Sequence, residues 1–126
     1  MLLDTNIVIY SCRADGGWLA RWTAHAEAAI ASVTRVEALG FLGITPAEES
    51  AIRGYLGRCP AYPMDEEVIE RAIHLRQQKR LKLGDAIIAA TALEFGLPLV
   101  TRNDVDFRDI GGLEIINPFA RPTSGL

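Results

Sequence analysis

Four places in this chain set an acidic side chain where an apolar run gives way to the start of a helix. They are Asp4 after "LL", Glu37 in "SVTRVEAL", Asp85 in "LGDAII", and "NDVD" (Asn103, Asp104, Asp106) after "LVTR". Oxygen donors with no His or Cys among them suit Mg²⁺ or Mn²⁺ better than zinc. Such a cation polarises a phosphate, helps deprotonate water and steadies a leaving oxygen, which is phosphodiester hydrolysis. Each acid also has a purely structural reading. Asp4 and Asp85 fit helix N-caps, Thr34 and Glu37 fit an S/T-x-x-E capping box, and Asn103 with Asp104 fits a turn. The joint pattern favours chemistry: Ser or Thr would cap as well, yet three helix starts use an acid, one of them on the most apolar helix of the chain.

The elements that must position these residues are legible from pattern. Met1 to Leu3 reads as a buried strand and Thr5 to Ser11 as a short helix; Trp18 to Glu27 reads as helical, with Trp18, Leu19 and Trp22 at helical spacing. Ala28 to Ser32 suits a central strand, Thr34 to Gly43 a helix, and Pro46 opens a helix to about Arg58 behind Thr45 as N-cap. "AYPM" (Ala61 to Met64) reads as a short strand. Asp65 caps a helix with Val68, Ala72, Leu75 and Ile69, Ile73 in its apolar stripe. A helix over 83–96 ends at Gly96, and "LPLVT" and "LEIIN" (Leu113 to Asn117) are the last strands. Short apolar strands alternating with helices predict an α/β sandwich with a mostly parallel sheet. In such a sheet, side chains just past the carboxyl ends of the strands share one crevice. Carboxylates gathered there raise one another's pKa, and a divalent cation relieves the repulsion.

Composition narrows the alternatives. The 126 residues fit one domain, with 118–126 read as a loose tail. A net charge of −3 argues against a broadly basic nucleic-acid binder, so contact with nucleic acid would need a local basic patch. Two cysteines (Cys12, Cys59) and two histidines (His25, His74) make neither a disulfide framework nor a zinc site. There is no Walker loop, no Rossmann glycine pattern and no G-x-S-x-G elbow. No apolar run is long enough for a membrane span and "MLLDTN" has no basic signal-peptide start, so a cytoplasmic protein is expected.

"LLDTN", "SVTRVEALGFL", "LKLGDAIIAATALEFGLPLVT" and "TRNDVDF" resemble, in order and spacing, the motifs of the PIN-domain family, and most nearly its VapC-type toxin ribonucleases. The resemblance implies a three-layer sandwich with helices on both faces of the sheet. It implies Asp4, Glu37 and Asp85 as catalytic acids, with Asp4 and Asp85 the principal ligands of Mg²⁺ or Mn²⁺. Glu37 would complete a second metal position or orient the attacking water, and Asn6 and Thr101 would support the site by hydrogen bonding. The family's fourth acidic position falls on Asn103, an amide that adds no charge; Asp104, placed ahead of Asp106, is read as supplying it. The resemblance further implies an endoribonuclease neutralised by a cognate antitoxin, working as a homodimer and as a heterotetramer or larger with that partner.

The run "RQQKRLKLGD" places Arg76, Lys79, Arg80 and Lys82 before Asp85, either as a solvated helix end or as a phosphate track; Arg102 is a further phosphate candidate. Trp18 and Trp22 read as packing against the core or a partner, with base stacking as the alternative. Two rival functions stand beside the nuclease. A haloacid-dehalogenase-type phosphatase requires D-x-D where this chain has "DTN", and a non-catalytic module would keep the fold without the chemistry.

Overall fold

A computed structural model of the chain describes residues 1–120. Five short strands form a single parallel array: β1 (Leu2–Leu3), β2 (Ile30–Ala31), β3 (Ala61–Tyr62), β4 (Leu99–Val100) and β5 (Ile115–Ile116). β4 pairs with both β1 and β5, and β2 pairs with β3. A parallel bridge from Leu2 to Ala29 joins the two ladders into the order β3-β2-β1-β4-β5. Side chains alternate across this sheet, and both faces are buried. Leu2, Ala29, Ala31 and Leu99 belong to one apolar cluster, while Leu3, Ala28, Ile30 and Val100 belong to the other. Burial on both faces explains why these strands read as continuous apolar runs.

The first face is covered by α5 (Glu66–Gln78) and α6 (Leu83–Glu94), with Phe107 of the short α7 (Asp104–Phe107) fully buried beneath them. α6 is apolar all round: Ala86 to Ala92 are all buried, as a helix sunk in the core must be. The second face is covered by α1 (Thr5–Ser11), α3 (Ser32–Leu39) and α4 (Pro46–Leu56). Three layers result, the α/β sandwich that the pattern predicts.

Local signals hold in most places. Thr45 caps α4 in a full capping box with Glu48, Pro46 opens the helix, and Asp65 accepts from the Val68 N–H at 3.0 Å. Gly96 ends α6 with φ of +66°, a conformation that a side chain would oppose. Three segments depart from the sequence reading. The Trp18–Glu27 helix is a 3₁₀ turn (Gly17–Leu19) followed by the four-residue α2 (Ala20–Thr23). α3 begins at Ser32, so the strand expected to reach Ser32 stops at Ala31 and the helix closes on Gly40 rather than Gly43. Phe119, within the expected loose tail, is tied down: its N–H donates to Asn117 Oδ1 at 2.9 Å and its ring packs on Tyr10 and Trp18. The remainder of that tail, residues 121–126, lies outside the described residues.

Candidate active site

From β1 the chain runs to β2 and β3 on one side, then crosses back to β4 and β5 on the other, so the strand order reverses between β1 and β4. At that switch point an open parallel sheet leaves a crevice beyond its carboxyl ends. Asp4 immediately follows β1, and Thr101 immediately follows β4. Thr101 Oγ1 donates to Asp4 Oδ2 at 2.7 Å and the Thr5 N–H donates to Oδ1 at 2.8 Å, so both carboxylate oxygens are engaged. Asp4 is buried, and burial raises its pKa; the two hydrogen bonds oppose that rise, and the charge of Glu37 adds to it.

Glu37 approaches from α3. Its Oε1 accepts from Thr5 Oγ1 at 2.7 Å, and that hydroxyl lies 3.1 Å from the buried Thr34 Oγ1. The capping box read at Thr34 and Glu37 does not form. α3 starts two residues earlier, its N-cap position is Ala31, and Thr34 is turned inward as part of the buried threonine pair. Glu37 is thereby released from capping and faces the crevice.

Asp85 comes from α6 at its third residue, with Lys82 at the N-cap position. An acid at that position ordinarily reaches back to the N-cap N–H. No such bond forms here, and among the described residues the Asp85 carboxylate has no hydrogen-bond or ion-pair partner. Half-buried, it is pushed up to a pKa of about 6, first by desolvation and then by the charges of Asp4, Glu37 and Asp106, with Lys82 opposing them. The N-terminal dipole of α6 favours the ionised form, yet burial and like charge outweigh it.

Asp4, Glu37 and Asp85 line one cleft of about 330 Å³, shared with Asn6, Tyr10 and Arg13. Among the described residues no three acidic, His or Cys side chains close into a metal cage. An open pair of oxygen donors is nonetheless the arrangement in which Mg²⁺ is held, through one or two carboxylates with water and phosphate completing its shell. The donor chemistry therefore fits a hard divalent cation at Asp4 and Asp85.

The family model for the PIN domain matches residues 1–113. The chain belongs to the PIN-domain family. Among curated proteins no significant match was found. Among solved structures, this PIN domain is similar to a chain of a toxin–antitoxin complex from Klebsiella pneumoniae, at 35% identity over 95% of this chain and 98% of that one, with a TM-score of 0.75. Chains of VapBC2 from Rickettsia felis bound to a promoter DNA fragment (22% identity, 92% and 96% covered, TM-score 0.77) and of DNA-bound VapBC from Salmonella typhimurium (24%, 92% and 96%, 0.76) share its fold.

The remaining site candidates of the PIN domain divide. At the Asn103 corner, Asn103 Nδ2 donates to Asp106 Oδ2 at 2.6 Å, and Asp106 is the acid of this loop whose charge reaches Asp85. Asp104 is the first residue of α7, and Asp106 lies in the same first turn. Asn6 lines the cleft, but among the described residues its side chain makes no hydrogen bond; the supporting bonds come from Thr5 and Thr101. The basic run splits. Arg76, Lys79 and Arg80 line a separate apolar groove of about 1000 Å³ beside α5, where Lys79 also lies 3.8 Å from Asp109, and of the four only Lys82 acts on Asp85.

Thr5 and Gly84 carry no signal in the sequence for the contacts they make with Glu37. A methyl group on Gly84 would stand 2.1 Å from Glu37 Oε2, so α6 can approach that carboxylate only because residue 84 lacks a side chain. Nothing in the spacing announces such a contact. Thr101→Val, which keeps the shape and removes the donor to Asp4, is expected to cost about 1.5–3 kcal/mol of stability at neutral pH. Urea unfolding checks this, and an unchanged midpoint would show that the hydroxyl does not hold the carboxylate.

Proposed function

We propose that this PIN domain is a metal-dependent endoribonuclease toxin, hydrolysing RNA phosphodiester bonds and neutralised by a cognate antitoxin. The observation that carries the reading is the half-buried Asp85 carboxylate, without a partner among the described residues and its pKa pushed up to about 6, sharing one cleft with the carboxylates of Asp4 and Glu37. A folded protein keeps such a repulsive cluster at a cost in stability, and positive charge in the cleft offsets it. Asp4 and Asp85 would hold Mg²⁺ or Mn²⁺, which supplies phosphate polarisation and an activated water. Thr101 and Thr5 fix the Asp4 carboxylate in place. Glu37, with one oxygen held by Thr5, offers the other to the proton of the attacking water. The 35%-identical chain from Klebsiella pneumoniae belongs to a toxin–antitoxin complex, which supports an antitoxin as partner.

The test is incubation of the pure protein with mixed RNA in Mg²⁺, in EDTA, and as an Asp4→Asn plus Asp85→Asn variant. Cleavage in Mg²⁺ alone, absent from the other two, is the expected result. Equal cleavage in all three marks a contaminant and sinks the assignment, as does RNA left intact throughout. Phosphate release from small monoesters would restore the phosphatase.

A further inference from the structure

Beside the acidic cleft lies a second pocket, of about 190 Å³, lined by Tyr10, Arg13, Asp15, Trp18, Arg102 and Phe119. Tyr10 and Arg13 line both, so the two cavities share a wall. The Phe119 ring is met edge-to-face by Trp18 at 4.9 Å and covered by the Arg102 guanidinium at 4.5 Å. Arg102 and Arg13 also lie over the Tyr10 ring, at 5.5 and 5.2 Å. Trp18 is held in orientation by Phe119 and Trp22, yet 51% of it remains exposed. Among the described residues neither Arg13 nor Arg102 forms an ion pair. A core-packing role would bury the indole, and a purely solvated role would not set Arg102 over both the Tyr10 and Phe119 rings and Arg13 over Tyr10.

We propose that this pocket is the subsite for the nucleotide flanking the scissile phosphate: a base stacks on Trp18, and Arg13 and Arg102 bind the adjoining phosphates. The inference rests on the ribonuclease reading of the neighbouring cleft and specifies where its single-stranded substrate lies. Charge complementarity selects the occupant. The cleft carboxylates repel a polyanion, and the protein as a whole carries −3, so entry of RNA requires cations at the cleft edge. Arg13 stands on the shared wall, and Arg102 follows Thr101, whose hydroxyl holds Asp4. Aromatic rings interleaved with guanidiniums are the general means of gripping single strands without base readout. Asp15, on the same rim, is an acceptor open to a base N–H.

The experiment separates binding from cleavage by working in EDTA. The chain has two tryptophans, so in a Trp22→Phe variant Trp18 is the sole reporter. Titration with a mixed-sequence single-stranded RNA octamer is expected to quench its emission to saturation. Measured by anisotropy of a labelled octamer, Trp18→Ala should weaken binding about tenfold. Arg102→Gln should flatten the slope of log K against log salt by about 0.7. If Trp18→Ala does not fold, Arg102→Gln, a surface change, still decides the matter. RNA that binds without quenching, or both variants binding as the parent does, overturns the subsite while leaving the nuclease intact. Quenching by a peptide but not by RNA overturns it in favour of a protein-docking pocket. Saturable quenching by RNA in a protein that never cleaves would remove the nuclease reading and overturn the subsite as one beside a scissile phosphate, leaving an RNA-stacking pocket.

Discussion

Asp85→Asn is expected to cut RNA cleavage about a thousandfold and, without divalent cation, to make the protein more stable. The carboxyl has a pKa of about 6 in the folded protein against an ordinary value of 3.8, so the fold holds this proton more tightly than the unfolded chain does. Stability therefore falls as pH rises from about 4 through 6 and levels off above, because the folded protein must then carry a charge it disfavours. An amide at position 85 cannot ionise. The variant should match the parent near pH 4 and exceed it by about 1–2 kcal/mol above pH 7, a figure reduced for solvent screening of a half-exposed group. Added Mg²⁺ should reverse the order: it stabilises the parent through binding to the native state and leaves the variant unmoved. Cleavage should drop about a thousandfold, the several kcal/mol that charge stabilisation by a bound cation supplies. Thermal melts at pH 4 and 7.5, with and without Mg²⁺, together with a cleavage assay, test all of this. A variant less stable than the parent at pH 7.5 in EDTA would show that Asp85 is a structural cap.

Gly84→Ala is the second large expectation, and it dissociates activity from stability in a similar way. In the second residue of α6, alanine is the better helix former by about 1 kcal/mol, and nothing in the Gly84 backbone forbids it. Its methyl group would meet Glu37 Oε2 at 2.1 Å and Cδ at 2.8 Å. Glu37 is exposed and flexible, so it yields at little cost, giving up its bond to Thr5 and its place beside Asp85. The melting temperature should hold or rise while cleavage falls about 10- to 100-fold, the scale on which catalytic groups lose effect when displaced by an ångström or more. The double variant Gly84→Ala plus Glu37→Ala should be no slower than Glu37→Ala alone, since both act through the same carboxylate. Additive losses would mean that Gly84 serves something other than the placement of Glu37.

The sequence alone determined the layers. Apolar runs of strand length alternating with helices state a parallel sheet covered on both faces, because such strands have no solvent side on which to place polar residues. Thr45 with Pro46, Asp65 and Gly96 mark element ends through local backbone chemistry, which needs no distant partner. The grouping of Asp4, Glu37 and Asp85 also follows from pattern, since parallel strands deliver their following residues to one edge and the helix that leads into β4 begins at that same edge.

What only the tertiary structure decided is which atoms serve which purpose. Thr34 and Glu37 have capping-box spacing, but contact with Thr5 across the α1–α3 packing draws Thr34 inward and lets α3 begin earlier. Sequence places Asp104 ahead of Asp106; in the fold Asn103 bonds Asp106, and it is the Asp106 charge that acts on Asp85. Arg76 to Lys82 form one basic run in sequence, yet the chain turns between α5 and α6 and sends the first three to a different groove. Phe119 reads as tail and is instead a wall of the pocket beside the site. Each of these depends on contact between residues far apart in the chain, where a hydroxyl, a missing methyl group or a shared ring face settles the outcome. Local spacing carries no record of such contacts.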